Sequence, residues 1–538
     1  MVSAGPADSE PPPSAWSPLR VAAYRNLWLA LLVANIGTWM QTVGAQWLLI
    51  DEPNASTLVA MVQTASMLPI LLLALPAGAL ADTFDRRHLL IAVQCFVAAV
   101  AVLLAALTAA DRMPPALLLT LTFAFGVGQA LTLPAWAAII PDLVPRHYLQ
   151  SASALGAISV NAARSVGPAV AGVLIARTGP ALVFGLNAIA FGIFAFVLLR
   201  WRPGDARSVE VPERFTAALR AGGRYVRHSP IVQRLLLRAL LFLVPGSALW
   251  ALLPLVANRR LGLGSSGYGV LLAALGVGAI AGGLVLPVVR HKLSPNQFLL
   301  ITGLLYGLAL IVVAEVPVTW VVLLSLVPAG LAWVVVLSNV NAEIQLFLPG
   351  WVRARGLAVY QVVFAGGQAI GALVWGVVAD VTGLVVTHLA AAALMVAGAL
   401  TVRLWPLPDL RADDRDPVTY WPDVRLAHEP DPSVGPVLVT VVYRVRPDRK
   451  DEFVHAMEQV RASRQRTGAT RWGLFHEGES PDRYVEVYQL ASWDEHLRQH
   501  GGRLTRADQE AEERARALAD GEPEVAHLLP ASASPDSD

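Results

Sequence analysis

The sequence predicts an all-α polytopic membrane protein with twelve transmembrane helices in two six-helix bundles, followed by a C-terminal α+β domain of ferredoxin-like order. Residues 27–405 break into a dozen apolar stretches, each close to the roughly 20 residues that a helix needs to cross a bilayer. The second six stretches repeat the first at an offset of 204. Pro145, Ala154, Gly167, Gly172, Thr178 and Gly179 recur as Pro349, Ala358, Gly371, Gly376, Thr382 and Gly383, and small Ala163 is matched by small Gly367. Of the 538 residues, 55% are hydrophobic and 15% charged, which is more apolar surface than a soluble chain of this size buries. Duplicated halves of parallel topology place a substrate path between two bundles, so transport is the expected activity.

The elements follow in order. Residues 1–20, with Pro11, Pro12, Pro13, Asp8 and Glu10, lack an apolar core and read as a disordered tail rather than a secretory signal. The first bundle, 21–200, holds spans near 27–49, 57–81, 89–110, 116–139, 151–176 and 181–200. The second, 233–405, holds spans near 234–257, 267–289, 297–315, 318–346, 356–379 and 383–405. With the N-terminus inside, the internal loops carry Arg86, Arg87, Arg146, Arg290, Lys292, Arg353 and Arg355, and the arginine-dense 201–232 connection decides this orientation. Both termini are then cytoplasmic. Phe215, Leu219, Gly222 and Val226 recur at helical spacing in that connection. Arg214, Arg220, Arg224 and Arg227 occupy its other faces, as in a basic helix lying on the inner membrane surface or a solvated linker helix.

Residues 406–436 are rich in Pro and Asp and read as a linker. In 437–530, strands at Val437–Val445, Thr470–Glu477, Arg483–Leu490 and Glu524–Leu529 alternate with helices in the order β-α-β-β-α-β. The first of these helices turns Phe453, Ala456, Met457 and Val460 inward. Residues 531–538 read as a second tail.

Charge and cysteine content narrow the function. A net charge of +1 argues against nucleic acid as a partner. The lone Cys95 excludes intrachain disulfides and a cysteine metal site, and neither a cofactor nor a metal is expected. No Gly-x-x-x-x-Gly-Lys-(Ser/Thr) element occurs, so the energy source is a proton or ion gradient rather than ATP.

The loop after the second span reads Gly78-Ala-Leu-Ala-Asp82-Thr-Phe-Asp85-Arg86-Arg87. Gly78 permits close helix approach. Asp82 stands at a helix end, where its carboxylate can make a state-dependent contact or belong to an ordinary charged turn. In the fifth span, Asn161-Ala-Ala-Arg164-Ser-Val-Gly167-Pro168-Ala-Val-Ala-Gly172 places Arg164 about 20 Å from either helix end. An arginine at that depth faces a bundle interior or a water-filled path, or is satisfied structurally by carbonyls and amides. Gly167, Pro168 and Gly172, with Gly367, Gly371 and Gly376 in the repeat, read as a helix-packing motif. Asn35, Gln41, Gln63, Gln129, Asn161, Asn339, Gln361 and Gln368 line a substrate path or act as interhelical glue. Glu343 is the nearest intramembrane carboxylate to Arg164 by depth. Trp39, Trp136, Trp250, Trp333 and Trp375 complete a largely neutral aromatic–amide lining suited to a large, weakly charged substrate.

The duplicated layout with Gly78, Asp82, Arg86 and Arg87 resembles the major facilitator superfamily, whose signature is Gly-x-x-x-Asp-(Arg/Lys)-x-Gly-(Arg/Lys)-(Arg/Lys). Thr83 and Asp85 depart from it, and the loop after the eighth span, with Pro287, Arg290 and Lys292, lacks the acid. The run from Gly167 to Gly172 is similar to the exporter branch's Gly-Pro-x-x-Gly-Gly element, with Ala171 for one glycine. Tyr24-Arg-Asn-Leu-Trp28, Arg224-Tyr-Val-Arg-His-Ser-Pro230 and Ser492-Trp-Asp-Glu-His-Leu-Arg-Gln-His500 resemble the enterobactin-exporter-like group, the transmembrane secretion effectors. The tail of that group is similar to the antibiotic-biosynthesis-monooxygenase fold. The resemblance implies a proton-coupled exporter of hydrophobic small molecules, siderophores or drugs in a bacterial cytoplasmic membrane, with Gly78, Asp82, Arg86 and Arg87 in gating. Its small-molecule substrate, the coupling proton and the lipid bilayer are the expected partners, together with dimerisation through the C-terminal domain. An importer of the same fold, or a tail with cofactor-free monooxygenase activity using His455, His476, His496, His500, Trp472 or Trp493, are the alternatives.

Overall fold

A computed structural model of the chain describes residues 16–202, 222–290, 292–407, 418 and 430–531. Residues 1–15 of the expected N-terminal tail, Phe215 and Leu219 of the basic connection, most of the 406–436 linker and the last seven residues lie outside the described residues. So do the side chains of Asp82, Thr83, Arg146 and Arg290. Ser17–Arg20, read from sequence as part of that tail, instead form a 3-10 turn with Ser17 and Pro18 buried.

Eleven helices among the described residues are long and apolar enough to cross a membrane. The first six are α1 (Ala22–Leu48), α2 (Ala55–Thr83), α3 (Arg86–Ala109), α4 (Pro115–Leu143), α5 (Leu149–Thr178) and α6 (Pro180–Arg200). The other five are α7 (Pro230–Leu255), α8 (Ser265–Arg290), α9 (Pro295–Glu315), α10 (Thr319–Phe347) and α11 (Gly350–Leu400). The sequence divides the last stretch into two spans, and α11 carries the break at Gly383, whose φ of 83° and ψ of 165° lie outside the helical region. An unbroken helix of 51 residues would be about 76 Å long, more than twice the ~30 Å hydrocarbon core.

The chain divides into two compact units. One comprises residues to Pro212, Arg238–Asn339 and Gln361–Pro406. The other comprises Glu213–Leu237, Val340–Tyr360 and Leu407–Asp538. The helix ends 222–237 and 340–360, read from sequence as parts of the linker and the second bundle, therefore cluster with the C-terminal domain.

In the first unit the repeated glycines sit at matching crossings. A Cβ on Gly172 would stand 2.6 Å from the Ser265 carbonyl oxygen and 3.1 Å from the Gly269 Cα, so α5 crosses α8 at backbone contact. A Cβ on Gly376 would stand 2.9 Å from the Ser56 oxygen and 3.1 Å from the Thr57 Cα, where α11 crosses α2. Gly167 packs on Ile36 and Trp39 of α1, and Gly371 on Val244 of α7. Without a hydrophobic drive between helices in lipid, such backbone approach is what holds them together. Arg87 donates to the Leu198 and Leu199 carbonyls at 3.0 and 2.8 Å, capping α6 with a cation. Buried Arg238 does the same beyond the end of α11, donating to the carbonyl of Thr401 at 3.1 Å and to that of Trp405.

In the second unit, β1 (Val437–Arg444), β2 (Arg471–His476), β3 (Arg483–Leu490) and β4 (Glu524–Leu528) form an antiparallel sheet in the order β2-β3-β1-β4. α12 (Lys450–Thr467) joins β1 to β2, while α13 (Trp493–Arg498) and α14 (Arg506–Arg516) lie between β3 and β4. Alternation along β1 buries Val437, Val439, Val441 and Tyr443 against Phe453, Met457 and Val460 of α12. Ser492 caps α13 by accepting from the Glu495 amide, and Thr505 with Asp508 forms a capping box on α14.

Candidate substrate site

α5 carries Arg164 at its middle, and the close approach of Gly167 to α1 brings Trp39 alongside it. The guanidinium carbon lies 5.5 Å from the Trp39 ring centre and 5.8 Å from that of Trp250 on α7. The two indoles are 5.9 Å apart, one from each half of the repeat. Trp250 continues into Trp333, Phe242 and Tyr306, with successive ring centres 5.2–5.8 Å apart. A part-buried guanidinium over two indole faces gains cation–π attraction of about 1–2 kcal/mol. Among the described residues the buried Arg164 Nε has no hydrogen-bond partner. An unsatisfied N–H donor beside an aromatic wall suits an acceptor-bearing ligand, because it costs about 1–3 kcal/mol while unmade.

Polar contacts between the halves gather at the end of the unit that carries the α1–α2 and α7–α8 turns. Asp380 of α11 accepts from the Ser56 and Thr57 amides at 3.2 and 3.0 Å, supplying a cap to α2 that its own N-cap residue, Asn54, does not make. Tyr268 donates to Gln46 at 2.5 Å, and the Ser265 hydroxyl to the Gly172 carbonyl at 3.1 Å. Deeper in, Gln63 donates to Gln368 at 3.2 Å and Thr64 to the Ala369 carbonyl at 2.9 Å.

Residues 13–535 match the family described as transmembrane secretion effector, within the major facilitator superfamily. The chain belongs to this family. As a transmembrane secretion effector it is 25% identical over 363 residues to the staphyloferrin A transporter of Staphylococcus aureus, covering 65% of this chain and 88% of that protein. It is 27% identical over 398 residues to the multidrug efflux pump Tap of Mycolicibacterium fortuitum, covering 71% and 95%. Over 304 residues it is 27% identical to the enterobactin exporter EntS of Escherichia coli, covering 56% and 71%. In fold it is similar to a bacterial homolog of the human lysosomal transporter Spinster in an inward-facing conformation, with a TM-score of 0.57 at 17% identity over 72% of this chain and 95% of that one. The D-xylose–proton symporter gives a TM-score of 0.55 at 14% identity over 72% and 98%.

The structure sorts the expected site residues of this secretion effector. Asn35 donates to Ser159 at 3.1 Å, Gln41 accepts from Asn187, and Gln129 donates to Thr38 at 3.4 Å, each a contact between helices of the first half. Asn161 shares the α5 face of Arg164 but donates to its own helix at Ala157, 2.9 Å away. Asn339 and Glu343 are buried and Gln361 is exposed. Among the described residues nothing lies within 4 Å of where a Cβ would stand on Gly78, so the close approach expected there is not made with any of them. Arg86 donates to the Ala138 carbonyl at 3.2 Å, and Asp85 caps α3 through the His88 amide at 2.8 Å. That hydrogen bond holds the Asp85 carboxyl below its usual range. Tyr24 and Trp28 donate to the Ala152 and Leu155 carbonyls, both at 2.9 Å, so that motif locks α1 to α5.

Sequence reasoning missed Asp380, Tyr268 and Arg238 among the helices, and a buried ionic cluster in the C-terminal domain. There Arg464 pairs with Glu486 at 3.1 Å and Glu512 at 3.0 Å, while Tyr443 and Trp472 donate to Glu486 at 3.2 and 2.9 Å. Glu495 pairs with Arg224 at 2.6 Å and with Arg503 at 2.7 and 3.1 Å. Burial opposes its charge, but Arg503 and Arg224 outweigh that and hold the carboxyl low. The Arg503 guanidinium lies 4.7 Å from the Trp351 ring centre. Neutral His496, pushed down to about 3 chiefly by burial, lies among His500, His527 and Trp493.

Proposed function

We propose that this transmembrane secretion effector is a proton-coupled exporter of the bacterial cytoplasmic membrane that moves amphipathic, acceptor-bearing small molecules of the siderophore or drug type. Arg164 between Trp39 and Trp250 carries the reading, because it sets a cation and an unsatisfied Nε donor within an aromatic wall where the two halves meet. An aromatic or catecholate ligand with anionic or carbonyl oxygens matches that chemistry. The Tap efflux pump and the enterobactin exporter support export, and the staphyloferrin A transporter supports a small-molecule cargo. The break at Gly383 supports twelve spans and so both termini on one side, and the arginine-rich 201–232 connection favours the inside. In that orientation the cross-half contacts of Asp380, Tyr268 and Ser265 close the outer side. Buried Glu343 is the candidate proton carrier, and Asp82 the gating acid beside Arg86 and Arg87.

In the C-terminal domain the strand order supports the ferredoxin-like reading. The half-exposed sheet face of Leu438, Val442, Val485, Val487 and Phe475 supports dimerisation rather than chemistry.

The test is the direction of flux. Inverted vesicles energised with an inwardly acidic gradient should accumulate a fluorescent, iron-free catecholate analogue, and Asp82→Asn should lower that rate at equal abundance. Accumulation confined to right-side-out vesicles would make the protein an importer.

A further inference from the structure

The C-terminal domain brings three histidines to one point. His496 and His500 are four residues apart and share a helical face, and His527 comes from the edge strand β4. His527 stands opposite Val439 in register, so both side chains lie on the sheet face that α12 covers. The ring centres of His500 and His527 lie 4.5 and 4.8 Å from that of His496, and one nitrogen from each ring can be chosen so that all three fall within 4.8 Å of one another. His496 is 0% exposed, and neither of its ring nitrogens has a hydrogen-bond partner. A buried imidazole with both nitrogens unmade costs free energy that nothing in the protein returns.

We propose that His496, His500 and His527 bind one divalent transition-metal ion of the Zn2+ class. A tetrahedral ion about 2.0–2.1 Å from each nitrogen needs the nitrogens roughly 3.3 Å apart, so the rings close on it by shifts of about 1 Å. Three imidazoles leave the fourth position open to water or to a fourth donor. Imidazole ligands favour zinc, copper, nickel and iron over magnesium and calcium. Trp493, 5.0 Å from His496 and 6.1 Å from His527 between ring centres, forms the apolar wall that fixes the rings. The proposal does not rest on the transport reading. The site does lie on the segment that carries Glu495 and Arg503, so an ion would stiffen the region that holds Arg224 and Trp351.

The experiment uses the full-length protein, purified in detergent with a tag free of histidine, and ZnCl2 in competition with a chromophoric chelator. About one zinc per chain is expected after dialysis. His500→Gln and His527→Asn should each weaken binding by more than the roughly 10–100-fold that losing an outer-shell partner costs. Zinc should raise the melting temperature of the wild type and leave that of the double variant unchanged. Co2+ should give the visible absorption of a tetrahedral nitrogen site in the wild type alone. The metal-free variants should melt within a few degrees of the wild type, which separates lost ligands from lost folding. Wild-type protein that retains no zinc, or a double variant that binds it as tightly, would overturn the proposal.

Discussion

Gly179 and Gly383 hold one backbone conformation, φ 81° and ψ 173° in the first and φ 83° and ψ 165° in the second, at the repeat offset of 204 residues. Each ends one transmembrane helix and turns the chain directly into the next. That region of backbone space is essentially closed to residues with a Cβ and costs them about 1–3 kcal/mol. Gly179→Ala and Gly383→Ala should therefore destabilise the protein alike, each lowering its detergent melting temperature. Since nothing stands within 4 Å of either Cβ position, backbone strain alone drives the loss. An alanine variant that melts with the wild type would mean that its turn is not fixed as described.

What was legible in the sequence is what is local. Apolar length marked the spans, and the repeat marked Gly172 and Gly376 as packing points because a crossing at backbone contact demands a small residue wherever it occurs. Asp380, by contrast, looks like any external-loop acid, and its meaning lies in two amides more than three hundred residues earlier. Arg238 reads as a flanking positive charge and Arg464 as the polar face of an amphipathic helix, yet both are buried because carbonyls or carboxylates from distant elements converge on them. His527 is one residue in an edge strand until the fold sets it beside His496. Arg164 stood out on depth, and Trp39 and Trp250 as members of an aromatic lining, but their contact with each other was not legible.

Asp380 caps α2 across the two halves, and losing an N-cap acceptor costs about 0.5–2 kcal/mol. At 1.4 kcal/mol per tenfold, Asp380→Ala should raise the open population on that side by roughly 2- to 30-fold. With Cys95→Ser as background, a Ser56→Cys reporter, buried in this conformation, should then react faster with a membrane-impermeant maleimide. An unchanged labelling rate would remove Asp380 from the gate.

Glu495 draws Arg224 and Arg503 onto one carboxylate, with Arg224 and Glu495 both largely buried. Arg224→Ala and Glu495→Ala should each lower stability, and the double variant should fall short of additivity by about 1 kcal/mol, as expected for a partly screened pair. Full additivity would show that the two charges do not interact in solution.

Arg464 is the cation between Glu486 and Glu512, and all three are almost fully buried. Arg464→Met keeps much of the volume but strands two carboxylates, so a loss of about 3–5 kcal/mol is expected. The triple change with Glu486→Gln and Glu512→Gln should recover part of it. If Arg464→Met melts with the wild type, the cluster is not ionised as drawn.

Arg164 separates a transport role from a structural one. A point ammonium cannot reproduce a guanidinium lying across Trp39 and Trp250 while keeping its Nε donor inside, so Arg164→Lys should lower the transport rate or change substrate preference. Arg164→Ala should reduce transport at least tenfold. Loss of the cation–π contacts limits the stability cost to about 2 kcal/mol, because the buried Nε makes no hydrogen bond whose loss would strand a partner. Trp250→Phe, which keeps a weaker aromatic face, should give an intermediate rate. Thermal stability measured beside vesicle transport reads the two roles apart: if stability and abundance fall together with transport, the arginine serves the fold, and an alanine variant with full transport removes it from the substrate path.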